Sequence, residues 1–162
     1  WWWDGIHFAI LHPDQNKTSN NKRNRNESSC VLKITTRHGS VLLPADIGQT
    51  SEQELLHRAR DALPATVLIA PHHGSKSSSS AAFIRQVNPK YVIFTVGYRN
   101  SFNHPHPEIV DRYRKHGTRL LRSDHDGAIM LRLTRHGMAI DTARKLRHRF
   151  WHDGAHTPVA AD

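Results

Sequence analysis

Two histidines and one aspartate stand where apolar runs of the sequence end. His72 and His73 follow the strand-forming run 67–70 and a proline, and Asp46 follows a second apolar run at 41–43. A proline break after strand-forming residues places the next side chains on the rim of a sheet. Carboxylate and imidazole groups are common ligands of divalent metals. The two strand ends therefore predict part of a metal site.

The same residues also have ordinary structural interpretations. Asp46 could simply begin a turn. The chain contains 14 histidines, so His72 and His73 could be surface loop residues. The serine tract formed by Ser75 and 77–80 lacks the Gly-x-Ser-x-Gly context of a hydrolase nucleophile. We expect it to be a flexible loop that ends in a helix cap.

Alternating strands and helices must position these side chains. Apolar runs predict strands at 6–11, 30–36, 40–43, 66–70, 91–96, 119–122, 128–134 and 138–142. Helical patterns cover 51–63, 80–87 and 108–116, and a Ser-x-x-Glu capping box at Ser51 and Glu54 opens the first of them. The alternation predicts an α/β architecture with a mixed sheet and flanking helices.

Composition limits the size of the fold and the nature of its partners. A chain of 162 residues buries one core, and the mean hydropathy of -0.63 indicates long polar stretches. The net charge is +9, and residues 85–162 carry 14 basic against 7 acidic side chains. This excess favours a polyanionic partner, with a solvated basic face as the alternative.

Polar segments and the single cysteine complete the organisation. Residues 14–29, which precede the strand predicted at 30–36, contain no apolar side chain and predict a mobile loop. The basic segment 143–162 predicts a disordered tail. Cys30 lies in an apolar run, so we expect it to be buried; a single cysteine excludes an internal disulfide and a Cys-x-x-Cys zinc site. No apolar window is long enough to span a membrane, and no signal peptide is recognisable, so the chain is expected to be soluble.

Six sequence blocks in a fixed order carry a family resemblance. They are WDGIHFAILHP at 3–13, NESSCVLKI at 26–34, LPADI at 43–47, APHHGSKS at 70–77, FNHPHP at 102–107 and RSDHDGAI at 122–129. Together they resemble the C-terminal metallo-β-lactamase-like domain of the ComEC/Rec2 DNA-internalisation competence proteins. The resemblance covers residues 1–142 and implies one half of an αββα sandwich.

The resemblance also implies a function. Proteins of this family are multi-pass proteins of the bacterial inner membrane that pass one DNA strand into the cell during natural transformation. The domain is expected to contact DNA and to hydrolyse phosphodiesters of the strand that is not imported. An extracytoplasmic position of the domain is favoured over a cytoplasmic one. Its partners would be DNA and the transmembrane channel, and no small-molecule cofactor is implied.

Site residues follow from the resemblance position by position. Asp46 corresponds to the carboxylate that bridges two divalent metals, zinc or manganese, in the intact domain. His73, or alternatively His72, corresponds to a ligand of the second metal. His104 would orient a phosphate or protonate the leaving oxygen.

One departure from the family pattern changes the expectation for this chain. The His-x-Asp-x-Asp-His block that supplies most of the metal ligands is absent from the 162 residues. It would lie before Trp1, in an N-terminal half that we expect to be a further partner. The chain alone is therefore expected to bind no metal and to be inactive. Two alternatives stay open: a metal-free DNA-binding or assembly module, and a hydrolase of another phosphoester unrelated to DNA.

Overall fold

The computed structural model describes residues 1–14 and 25–147. The strands are β1 (Trp2–Trp3), β2 (Ile6–His12), β3 (Val31–Thr36), β4 (Gly39–Leu43), β5 (Val67–Ile69), β6 (Tyr91–Phe94), β7 (Arg119–Arg122), β8 (Ile129–Thr134) and β9 (Gly137–Thr142). The helices are α1 (Gln49–Arg58), α2 (Ala81–Val87), α3 (Pro107–Lys115), α4 (Ser123–Asp126) and α5 (Ala143–Leu146). Short 3-10 turns form at Arg25–Ser28, Arg60–Ala62 and Pro71–Gly74.

The main sheet contains β1 to β7 in the same order as the chain. Strands β1 to β4 pair antiparallel, and β4 to β7 pair parallel. The strands β8 and β9 form a separate antiparallel hairpin. The mixed α/β class with flanking helices that the sequence predicts is confirmed.

Helices α1, α2 and α3 connect the four parallel strands. Right-handed crossovers that all run in one direction place their helices on the same face of the sheet. On that face Leu42, Leu68 and Val92 stand side by side in register and belong to the buried core. The helices contribute fully buried side chains to the same core, among them Leu55, Phe83, Ile84, Ile109 and Tyr113. Each such side chain contributes about 1.5–3 kcal/mol relative to an exposed position.

The parallel arrangement brings four connections to one edge of the sheet. The carboxyl ends of β4, β5, β6 and β7 lie there, followed by the turn with Asp46, the Pro71–Gly74 turn, the loop 95–106 and α4. Ligand sites of open α/β sheets form at this edge. The sheet order therefore places the residues selected from the sequence in one neighbourhood.

Two sequence predictions are wrong in their details. The expected capping box does not form, because α1 begins at Gln49 after Gly48, and the Ser51 hydroxyl and backbone N–H instead donate to the Glu27 carboxylate. Cys30 is exposed instead of buried.

The two polar segments lie mostly outside the described residues. Of the loop expected over 14–29, residues 15–24 are outside, while Arg25–Ser28 form a turn tied to α1 through Glu27. Of the tail expected over 143–162, Ala143–Leu146 form α5, and residues 148–162 are outside. Within the described ranges, the helices are too short or too polar to cross a lipid bilayer.

Candidate functional site at the carboxyl end of the parallel strands

Asp46 and His73 face each other across the ends of β4 and β5. The Asp46 Oδ1 atom lies 3.4 Å from His73 Nε2, and the two side chains are 43% and 47% exposed. Asp46 follows Ala45, whose positive φ of 50° turns the chain sharply after β4. The structure thus brings together the carboxylate and one of the two histidines selected from the sequence.

The other ring nitrogen of His73 fixes the proton position. His73 Nδ1 lies 2.7 Å from the backbone carbonyl oxygen of Thr95, which can only accept a hydrogen bond. In the neutral imidazole the proton is therefore on Nδ1, and Nε2 directs its lone pair toward Asp46. An N–H to carbonyl bond of this kind is the arrangement that orients metal-binding histidines. A proton or a cation between the carboxylate and the lone pair would stabilise this arrangement.

His72 stabilises the Pro71–Gly74 turn in which it lies. Its backbone N–H donates to the Ala45 carbonyl at 2.9 Å, which ties the β5 turn to the turn after β4. Its ring nitrogens lie 3.3 Å from the Asn26 amide nitrogen and 3.4 Å from the Ser77 hydroxyl. The ring of His73 therefore meets the Asp46 carboxylate, whereas the ring nitrogens of His72 face Asn26 and Ser77.

Gly74 allows the turn Pro71–Gly74, called the histidine turn from here on, to pack against the loop before α3. Its φ is +83°, and a Cβ atom there would lie 2.7 Å from Pro105 Cβ and 2.8 Å from the Phe94 ring. The Gly74 carbonyl also accepts the His106 N–H at 2.9 Å. Only glycine combines this conformation with this close approach.

The serine tract is a support of the histidine turn and not the flexible loop that we expected. Ser78 and Ser79 are fully buried, and the Ser78 hydroxyl donates to the Pro71 carbonyl at 2.8 Å. Ser80 caps α2 by accepting the Phe83 N–H, so this part of the prediction is confirmed.

Glu52 binds the end of the serine tract, a role that the sequence analysis did not predict. It is fully buried in α1, and its carboxylate accepts the backbone N–H groups of Ser79 and Ser80. Burial raises the pKa of Glu52, although the bonds from Ser80 and Ser79 and the charge of Arg112 act in the opposite direction. Arg112 in turn donates to the Ser79 carbonyl at 2.6 Å.

His104 lies beside the pair on the loop before α3. Its ring centroid is 6.0 Å from that of His72, and its Nδ1 is buried with no hydrogen-bond partner among the described residues. Burial lowers the pKa of His104, and the charges of His72, His73 and His106 lower it further. His104 is therefore neutral at pH 7.

A second polar cluster at the same edge lies in the block 122–129, to which the sequence analysis assigned no site residue. Arg122 binds the Asp124 carboxylate through two bonds of 3.0 and 2.7 Å, and Ser123 Oγ accepts the Val96 N–H at 2.8 Å. Burial alone would raise the pKa of Asp124, but the bond and charge of Arg122 lower it overall. The cluster fixes β7 beside Thr95–Val96, the segment that holds the His73 ring. A local Arg-x-Asp spacing was its only sequence signal.

Across the described ranges, no group of three or more His, Cys, Asp or Glu side chains converges tightly enough to hold a metal. Asp46 and His73 approach each other closely, and among the described residues no third His, Cys, Asp or Glu side chain completes a metal-binding group with them.

Comparisons with known proteins support the relation to competence proteins. No family model matches the chain. The chain is 35% identical over 147 residues to competence protein ComA of Neisseria gonorrhoeae, which covers 91% of the chain and 20% of that protein. It is 34% identical over 127 residues to ComE operon protein 3 of Bacillus subtilis, with 78% and 16% covered. It is 31% identical over 144 residues to Recombination protein 2 of Haemophilus influenzae, with 89% and 17% covered.

The chain is thus homologous, over most of its length, to competence and recombination proteins, and it spans about a fifth of the length of ComA.

Proposed function

We propose that this chain forms part of a DNA-uptake protein and supplies one half of a metal-dependent phosphodiesterase site. The homology to proteins named for competence supports the biological setting. In this account the complete domain hydrolyses the DNA strand that is not imported. The transmembrane channel and the N-terminal half of the domain belong to the same parent protein of the inner membrane.

The observation that carries the proposal is the geometry of Asp46 and His73. A carboxylate oxygen and an imidazole nitrogen with its lone pair lie 3.4 Å apart. The opposite ring nitrogen donates to a backbone carbonyl, so the ring is held in the orientation and tautomer that a metal ligand requires. Both side chains stand at the sheet edge where polar substrates have access.

These donors fit a divalent metal only in part. Asp46 and His73 would hold zinc or manganese, and the ion would polarise a phosphoryl oxygen and lower the pKa of water. Two protein ligands bind a metal weakly, and a catalytic site takes at least three. The chain alone is therefore proposed to be inactive, with the missing ligands supplied from outside the described residues.

Of the two roles expected for His104, orientation of a phosphate is the better supported. The depressed pKa keeps the ring neutral at pH 7, which disfavours proton donation to a leaving oxygen. A neutral imidazole still offers one N–H to a phosphate oxygen.

A cleavage assay tests the proposal. Labelled single-stranded DNA is incubated with Mn²⁺ or Zn²⁺ and either the 162-residue chain or the longer parent protein. We expect the parent protein to cleave the DNA and the 162-residue chain to leave it intact. In the parent, Asp46→Asn and His73→Ala should abolish cleavage. The control His57→Ala, whose exposed ring lies on α1, should keep full activity. Cleavage by the chain alone, or a parent that tolerates Asp46→Asn, would contradict the proposal.

A metal-free DNA-binding or assembly module is the second candidate. The absence of a complete ligand cluster among the described residues favours it, since Asp46 and a protonated His73 can also form a simple ion pair. This candidate predicts that the parent binds single-stranded DNA with a steep salt dependence but does not cleave it with any divalent metal.

A further inference from the structure

The loop between β6 and α3 exposes two aromatic rings beside the candidate site. Phe102 is 77% exposed and Tyr98 is 55% exposed. The Arg99 guanidinium lies over the Tyr98 ring, 5.2 Å from its centroid. The loop therefore presents two flat apolar faces and one cation to solvent.

This exposure belongs to a fixed loop. The Asn100 side chain closes the loop by accepting the His104 N–H at 2.9 Å and donating to the His104 carbonyl at 2.7 Å. Arg99 and Asn103 both adopt positive φ values, 51° and 53°, that non-glycine residues rarely adopt. A backbone of this kind is unfavourable for non-glycine residues and persists only where the surroundings hold it. The loop backbone that carries the aromatic side chains is thus held by contacts within the protein before any partner binds.

The rings lead toward the Asp46–His73 pair. The Phe102 ring stacks on His104 at 6.1 Å between centroids and an interplanar angle of 27°. His104 meets His72 at 6.0 Å, and His72 meets His73 at 6.5 Å. A flat group placed on the outer face of Phe102 would continue a series of rings that ends at the donor pair.

We propose that Phe102, Tyr98 and Arg99 form a stacking platform for unpaired bases of single-stranded DNA. The proposal rests on the proposed function, because it assigns the substrate contact of the same site. Bases stack on aromatic side chains whatever their identity, and an arginine adds attraction for the neighbouring phosphate. The phosphodiester that follows a base stacked on Phe102 would then lie on the side of His104, the ring that contacts Phe102. A platform of this type predicts a preference for unpaired DNA without preference for sequence.

Binding measurements on the 162-residue chain test the platform without requiring cleavage. Fluorescence anisotropy is recorded in EDTA with a labelled oligothymidylate and with an abasic oligomer of the same length, which has the same phosphates and no bases. We expect the oligothymidylate to bind more tightly. Phe102→Ala should weaken its binding about tenfold and leave the abasic oligomer unchanged, whereas Phe102→Trp should keep the preference. Arg99→Ala should weaken both oligomers and reduce the salt slope by about one.

A matched control and the opposing outcomes keep the test decisive. Trp2 is 71% exposed but lies on β1, at the antiparallel end of the sheet, so Trp2→Ala should change neither affinity. Equal binding of the two oligomers, or equal losses in Trp2→Ala and Phe102→Ala, would overturn the platform and leave the proposed DNA contact intact. Failure of the chain to bind either oligomer would overturn the platform, whereas the proposed function is tested separately by the cleavage assay on the parent protein. Loss of binding to anionic lipid vesicles in Phe102→Ala, with unchanged oligothymidylate binding, would make the loop a membrane contact and refute the platform.

Discussion

The buried support of the histidine turn and the exposed Asp46–His73 pair differ in almost every physical respect. The support consists of buried groups whose hydrogen bonds are satisfied within the protein, namely Gly74, Ser78, Ser79 and Glu52. The donors Asp46 and His73 are nearly half exposed, and each directs an oxygen or nitrogen at the other. The difference indicates that the fold stabilises the turn through its backbone and leaves the Asp46 carboxylate and the His73 ring accessible to solvent. Substitutions in the support should therefore affect stability, and substitutions of the donors should affect binding.

Gly74→Ala should give the largest loss of stability. The new methyl group would lie 2.7 Å from Pro105 Cβ and 2.8 Å from the Phe94 ring, and φ is +83°. Strain and overpacking together should lower the free energy of unfolding by about 2–4 kcal/mol, measured by chemical denaturation. Gly97→Ala is the control, because a Cβ atom at Gly97 meets no atom within 4 Å. Equal stability of Gly74→Ala and Gly97→Ala would show that the close packing of the turn is not needed.

Glu52→Ala should give the next largest loss. Removing the carboxylate leaves the buried N–H of Ser79 and the N–H of Ser80 without their acceptor. We expect the free energy of unfolding to fall by about 1–3 kcal/mol. Glu108→Ala, which removes an exposed i,i+4 pair with Arg112, should cost only about 0.3–0.5 kcal/mol in the same assay. A loss for Glu52→Ala no larger than that for Glu108→Ala would refute a supporting role.

His104 should make stability depend on pH between 7 and 5. Its pKa in the folded protein lies below the ordinary value of 6.5, chiefly because partial burial disfavours the charged ring. Above pH 6.5 the ring is neutral in both states, and as pH falls below 6.5 the unfolded chain binds the proton first, so stability decreases. His104→Gln should therefore lose less stability than the wild type over this range in denaturation measurements. The control His57→Gln, at an exposed position, should show the same dependence of stability on pH as the wild type. If His104→Gln also shows the wild-type dependence, the proposed effect of burial on His104 is wrong.

Asp46→Asn should give the smallest change in stability. The carboxylate is 43% exposed and its interaction with His73 is accessible to solvent, so the free energy of unfolding should change by about 0–1 kcal/mol. Chemical denaturation measures this change in the free energy of unfolding. A loss comparable to that of Glu52→Ala would mean that Asp46 belongs to the support, and the distinction between the two regions would fail.

The parts of the fold that depend on local pattern could be predicted from the sequence. Apolar runs defined the strands, and the apolar side of α3, with Ile109, Val110 and Tyr113, is buried as its spacing indicated. Asp46 and His73 were selected because each follows a strand. Their approach to 3.4 Å depends on β4 and β5 being parallel neighbours, a pairing that no local pattern specifies.

The misses have a common physical cause, which is competition from distant residues. Ser51 does not cap α1 because Glu27, 24 positions earlier, takes its hydrogen bonds. Glu52 is buried because its carboxylate binds the backbone N–H groups of Ser79 and Ser80, which lie 27 and 28 positions later in the sequence. A charged residue in the first turn of a helix is ordinarily exposed, so nothing near Glu52 in the sequence indicated its role.

Titration with Mn²⁺, followed by the NMR signals of the histidine rings, tests the central claim most directly. Mn²⁺ broadens the signals of nuclei close to its binding site. If Asp46 and His73 are two donors of a metal site, the ring signals of His73 should broaden at lower Mn²⁺ concentrations than those of His38 and His57, and Asp46→Asn should remove that difference. Broadening of His73 that matches His38 and His57, or that persists in Asp46→Asn, would contradict the account.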